Sequence, residues 1–104
     1  MIYEEKKYSK GKEYLRKFIR VMADMQKWDA SGGVSGGDSV YRKEIYGIPY
    51  EYKITVTDAS GGASVRIETD DAGGREAIRR QFELLEKLIA FKERFYKVSK
   101  EIIL

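Results

Sequence analysis

At 104 residues, with 20 Lys and Arg against 17 Asp and Glu, the chain is a single domain of net charge +3, large enough for one core and too small for two. It has no Cys and no His, which removes thiol nucleophiles, disulfides, Cys/His zinc sites and the usual general base near neutral pH. An enzyme is therefore disfavoured, and neither a metal nor a cofactor is expected. The first residues, Met1 to Lys7, lack the apolar core of a secretory leader, and no segment approaches about 18 continuous apolar residues, so a cytoplasmic protein with no membrane partner is expected.

Charge is unevenly spread. Residues 1–30 hold eight Lys/Arg against five Asp/Glu, residues 31–74 four against seven, and residues 75–104 again eight against five. The positive charge lies on two helical segments and the negative charge between them.

Residues 1–30 are assigned to the first helix, its regular part running from near Ser9 to Trp28. Tyr14, Leu15, Phe18, Val21, Met22, Met25 and Trp28 fall on one broad face there. Ser9 is a candidate N-cap. Ile2 to Tyr8 either extend this helix or form a separate arm, because Gly11 weakens continuity. Lys10, Lys17, Arg20 and Lys27 lie close together on the outer side.

A loop follows, Asp29-Ala-Ser-Gly-Gly-Val-Ser35, which is nearly duplicated at Asp58-Ala-Ser-Gly-Gly-Ala-Ser64 and echoed at Asp71-Ala-Gly-Gly74. Glycines of this kind can cradle phosphate, and aspartates can hold a cation. Here no Gly-Lys-Ser/Thr is present, no strand precedes the first copy, and Asp beside the glycines repels phosphate. Independent turns are the better account.

Residues 39–69 read as a three-stranded antiparallel meander. Its second strand is clearest, with Tyr50, Tyr52, Ile54 and Val56 alternating with Glu51, Lys53, Thr55 and Thr57. The third sets Ala63, Val65 and Ile67 against Ser64, Arg66 and Glu68. The first, about Ser39 to Tyr46, turns at Gly47-Ile48-Pro49, where the only proline does least harm. Tyr41 and Ile45 then share the inner face with the apolar set. Arg42, Glu44, Glu51, Lys53, Arg66 and Glu68 mix on the outer face.

Residues 75–104 read as one long helix with two apolar seams. Leu84, Leu88, Phe91, Phe95, Val98 and Ile102 recur at alternating steps of four and three, the a/d spacing of a heptad zipper. Ile78, Phe82, Leu85, Ile89, Tyr96 and Ile103 form a second row about 100° further round. One seam covers the chain's own core, and the other calls for a partner. Since short strands cannot span a helix of roughly 45 Å, a homodimer or higher assembly through the first seam is expected. The fold class is α+β in the order α-β-β-β-α, with a long zipper-like C-terminal helix.

Thirteen aromatic residues and two basic helices suit sequence-tolerant binding of single-stranded nucleic acid, DNA or RNA, in which bases stack on rings while cations track phosphates. The expected site is an aromatic cleft between the first helix and the sheet, holding Trp28, Tyr14, Tyr41 and Tyr52. Lys10, Lys17, Arg20 and Lys27 line its rim. For each ring alone, core packing is the commoner role.

The element order, the terminal heptads and a Lys-, Glu- and Tyr-rich, Cys-free composition together resemble the ThermoDBP family of archaeal single-stranded-DNA-binding proteins from hyperthermophiles. That resemblance covers most of the chain and implies an aromatic, basic-edged DNA cleft and dimerisation through the terminal helix. It transfers no individual residue.

Two other readings compete. A scaffold or protein-interaction module needs only the zipper, but leaves the basic helices without a role. A Mg²⁺-dependent nuclease rests on Asp38 and Glu51-Tyr52-Lys53, at a separation seen in PD-(D/E)xK nucleases. Pro does not precede Asp38, however, and Glu51 and Lys53 simply alternate with apolar residues in an amphipathic strand.

Overall fold

A computed structural model describes residues 1–30 and 38–103, with side chains described except at 30, 38, 39, 45 and 94–103. The elements run β1 (Ile2–Tyr8), α1 (Lys12–Met25), β2 (Asp29–Ala30), β3 (Asp38–Ile45), β4 (Ile48–Ala59), β5 (Gly62–Thr69) and α2 (Gly74–Ile103). The fold is α+β, an antiparallel sheet in the spatial order β1-β5-β4-β3-β2 with both helices packed on one face. The meander β3-β4-β5 follows the alternation read from the sequence. Tyr52, Ile54 and Val56 of β4 and Ala63, Val65 and Ile67 of β5 are buried in one cluster with the helices.

The two meander turns are tight. Tyr46 and Gly47 both take positive φ, 52° and 78°, as a two-residue hairpin turn of right-handed twist requires. Gly61 does the same at 77° in the second hairpin. The neighbouring Gly62 is fixed by space: a Cβ there would stand 1.9 Å from the Tyr8 carbonyl oxygen, where β1 runs past the hairpin end.

The N-terminal thirty residues depart from the helix expected of them. Ile2–Tyr8 form an edge strand antiparallel to β5, with Ile2 opposite Thr69 and Tyr8 opposite Ala63. Their strand period is hidden because two of the helix-side positions are the charged Glu4 and Lys6, which pair with charges on α2. Lys6 Nζ lies 3.4 Å from Glu86 and 5.4 Å from the Phe82 ring centre, and Arg79 lies 3.5 Å from Glu4. Helix α1 consequently starts later and ends earlier, with Gly11 and not Ser9 as its N-cap. It closes before Trp28, where Lys27 turns at φ 58° and the Trp28 N–H donates to the Ala23 carbonyl at 2.9 Å.

The helices run antiparallel. At one end the amides of Gln26 and Gln81 bond reciprocally at 2.8 and 3.0 Å, and at the other Lys92 Nζ lies 5.5 Å from the Phe18 ring centre. Helix α1 buries Leu15, Phe18, Ile19, Met22 and Ala23. In α2 the second row, Ile78, Phe82, Leu85 and Ile89, forms the core. Leu84 and Leu88 of the heptad seam are partly buried against that core, while Phe91 is 70 % exposed. Phe95, Val98 and Ile102 lie outside the described side chains.

The Asp-Gly echoes serve different local ends. The second is the β4–β5 turn. The third starts α2: Asp71 accepts from the Gly73 N–H at 2.8 Å through Oδ1 and from the Gly74 N–H at 2.9 Å through its carbonyl, with Gly74 at φ 58°. Residues 31–37 of the first lie outside the described residues. Among the described residues no helix is long and apolar enough to cross a membrane.

Candidate nucleic-acid interface

The β3–β4 hairpin is longer than the sheet behind it. Pairing of β4 with β5 starts at Tyr52 opposite Thr69, so residues 48–51 pair with β3 alone. On the helix side of this projecting hairpin the register sets Tyr41 opposite Tyr52 and Lys43 opposite Tyr50. Because α1 stops at that level, Trp28 turns down onto the sheet. Its ring stacks on Tyr52 at 4.5 Å and 18°, and meets Tyr41 at 5.9 Å and 48°. Lys43 Nζ lies 5.7 Å from the Trp28 ring centre, within cation–π range.

Burial divides these rings by role. Trp28 and Tyr52 are 6 % and 1 % exposed, so they form the floor of the cluster. Tyr41 and Tyr50 are half-buried and leave ring surface in water. At the tip Tyr46 is fully exposed. The floor is tied to the start of α2: the Tyr52 hydroxyl donates to Asp71 Oδ2. Thr69 Oγ1 donates to the Glu51 carbonyl at 2.7 Å and accepts the Asp71 N–H at 3.1 Å. Burial, and then the Asp71 carboxylate, push the Tyr52 phenol well above its usual range. The Trp28 indole N–H is buried and finds no hydrogen-bond acceptor among the described residues.

The structure thus brings together Trp28, Tyr41 and Tyr52 and places Lys27 one residue from them. It separates Tyr14 and Lys10. Tyr14 packs on Phe18 at 5.0 Å near the start of α1, eleven residues or about 16 Å of helix from the Met25 end beside which Trp28 lies. Lys10 pairs there with Glu93 and lies 5.4 Å from the Tyr14 ring centre, an ion pair that raises its pKa. Lys17 and Arg20 are exposed on α1. A single cleft holding all four rings and four cations is therefore not formed. Lys43 and Tyr50 join the cluster instead. Lys43 has the same strand parity as Tyr41, which is the signal that could have placed it on the inner face.

The register also decides the nuclease geometry. Asp38 is opposite Thr55 and Glu51 opposite Arg42, four residues apart along β4 or about 13 Å. Glu51 offers its N–H to Asp70 Oδ1 at 2.9 Å. Among the described residues no three carboxylates gather to hold a metal ion. Comparison of the chain with protein-family models, with curated proteins and with solved structures gives no match.

Proposed function

We propose that the chain binds single-stranded nucleic acid with little sequence preference across the helix-side face of the β3–β4 hairpin, and that it does so as a homodimer or higher assembly. The observation that carries this reading is the projecting hairpin, whose inner face offers the half-buried rings of Tyr41 and Tyr50 beside Lys43, with Tyr46 exposed at the tip. Any base presents a π-face, so two or three rings of this kind accept bases without reading their edges, at roughly 1–3 kcal/mol per stacked base. Lys43 and the neighbouring Lys27 supply charge for the phosphates. Trp28 and Tyr52 hold the platform rigid from beneath, and Lys17 and Arg20 add positive field on the adjacent helix. Self-association is supported separately by the exposed Phe91, which continues the Leu84–Leu88 strip.

The test uses the chain's only tryptophan as an internal reporter. Binding of a fluorescein-labelled oligothymidylate, followed by anisotropy, should change Trp28 emission, and Tyr50→Ala should weaken it about 5- to 150-fold. Binding with constant emission and no loss in Tyr50→Ala places the nucleic acid elsewhere on the surface.

A further inference from the structure

The projecting hairpin leaves a notch in the sheet. Strand β5 ends at Thr69, opposite Tyr52, so residues 48–51 of β4 have no strand on that side. Asp70 turns in at the step, and its Oδ1 accepts the Glu51 N–H at 2.9 Å. A cavity of about 280 Å³ opens there, bordered by Arg42, Pro49, Tyr50, Glu51 and Asp70. It shares Tyr50 with the stacking face proposed above.

The charges at this notch are not spent on one another. Arg42 stands directly opposite Glu51 in the register, where opposite charges can pair across the ladder, yet among the described residues neither side chain has an ion-pair partner. Asp70 gives one carboxylate oxygen to the Glu51 N–H. Three carboxylate oxygens and one guanidinium are left at the rim without a described partner.

That set decides what fits. Two carboxylates against one guanidinium repel a phosphate, and two carboxylates beside an arginine do not hold a metal ion; among the described residues no three gather to do so. A neutral, planar group with two donors and an acceptor on one edge satisfies both signs. Among the bases, guanine alone carries two adjacent donors on its Watson–Crick edge, N1–H and the N2 amino group, next to the O6 acceptor. Carboxylate oxygens accept the two donors, and a guanidinium donates to O6. Adenine and cytosine offer one amino donor beside a ring-nitrogen lone pair, and thymine one N–H between two carbonyl oxygens. Each of these leaves a carboxylate without a donor.

Resting on the single-strand binding proposed above, we infer that this notch takes one guanine base, selecting a single position in a strand whose other bases stack without selection. Glu51 and Asp70 accept from N1–H and the N2 amino group, Arg42 donates to O6, and Pro49 and Tyr50 supply the apolar border. Because the notch cuts the sheet edge beside Tyr50, a base enters it while its phosphate remains with Lys43, which the register sets opposite Tyr50.

The test compares fluorescein-labelled oligothymidylates that are unmodified or carry one central dG, dI, dA or dC. By anisotropy the dG strand should bind at least about fivefold tighter than the unmodified one, the low end for a bidentate base contact because water reaches the notch. The dI strand, which lacks the N2 amino group, should fall between them, and dA and dC should show no gain. Glu51→Gln and Asp70→Asn should each cut the dG-to-dT ratio to below about twofold with unaltered circular dichroism, since Asn still accepts the Glu51 N–H. Oligothymidylate binding with no preference for dG overturns the guanine notch and leaves the stacking reading standing. A preference that survives both substitutions also overturns it, by placing the selection elsewhere. Binding to none of the strands overturns both.

Discussion

Replacing Tyr52 by Phe deletes one oxygen and tests how the sheet is tied to α2. The Tyr52 ring is 1 % exposed and stacks under Trp28, so the phenylalanine keeps the packing and loses only the hydrogen bond to Asp71 Oδ2. Asp71 Oδ1 retains the Gly73 N–H, but Oδ2 loses its described donor in a partly buried position. A hydrogen bond to a charged group contributes about 1.5–3 kcal/mol net, so a loss of about 2 kcal/mol is expected at pH 7. Since domains of this size have roughly 5–15 kcal/mol in all, that is a large fraction. Urea unfolding followed by Trp28 fluorescence should show a lower midpoint with the slope unchanged, and a thermal midpoint lower by roughly 8–16 °C. A loss below about 0.5 kcal/mol would mean that Asp71 is satisfied by water and that the start of α2 does not depend on Tyr52.

The same phenol governs alkaline behaviour. The folded pKa values of Tyr52 and Tyr8 are both raised above the ordinary 10.0, by burial first and then by Asp71 and Glu86 respectively. Their stabilisation is therefore complete below pH 10 and is lost as pH rises toward the folded values, so stability should decline above pH 10 and Tyr52→Phe should decline less steeply, as chemical denaturation against pH would reveal. Gly62→Ala should cost more than about 1–3 kcal/mol, because its Cβ would fall 1.9 Å from the Tyr8 carbonyl oxygen and backbone must move. Faster hydrogen exchange across β1 is the expected signature, and exchange unchanged there would contradict the close approach. Lys43→Ala should cost about 0.5–1 kcal/mol in urea unfolding, the worth of its cation–π contact with Trp28, while lowering oligonucleotide affinity and reducing the salt slope by about 0.7.

Much of the fold is written in local pattern. The β4 alternation from Tyr50 to Val56 and the row Ile78, Phe82, Leu85 and Ile89 each face one core, so their periods survive in the sequence. What was hidden depended on long-range partners. Strand β1 carries Glu4 and Lys6 inward, a choice that makes sense only once Arg79 and Glu86 of α2 stand opposite them, some eighty residues later. Trp28 shares the periodicity of α1 but lies past its end, because Lys27 adopts a left-handed turn that no helical period announces. For the candidate site, the shared inner face of Tyr41 and Tyr52 is legible from strand parity, while their pairing comes from the register of the hairpin. The loss of Tyr14 from the site is not legible, since a shared helix face says nothing about distance along the helix. Lys43 is not legible as part of the site, because a lysine in a strand reads as solvent-facing until the hairpin projects beyond the helices and gives it water on the inner side.

Counterion release tests the nucleic-acid reading most directly. Labelled single-stranded and double-stranded oligonucleotides titrated with the protein at two or more salt concentrations should show micromolar binding to the single strand, weaker binding to the duplex, and a log–log slope of about −0.7 for each phosphate neutralised. Flat anisotropy with single strands at micromolar protein and low salt would contradict it.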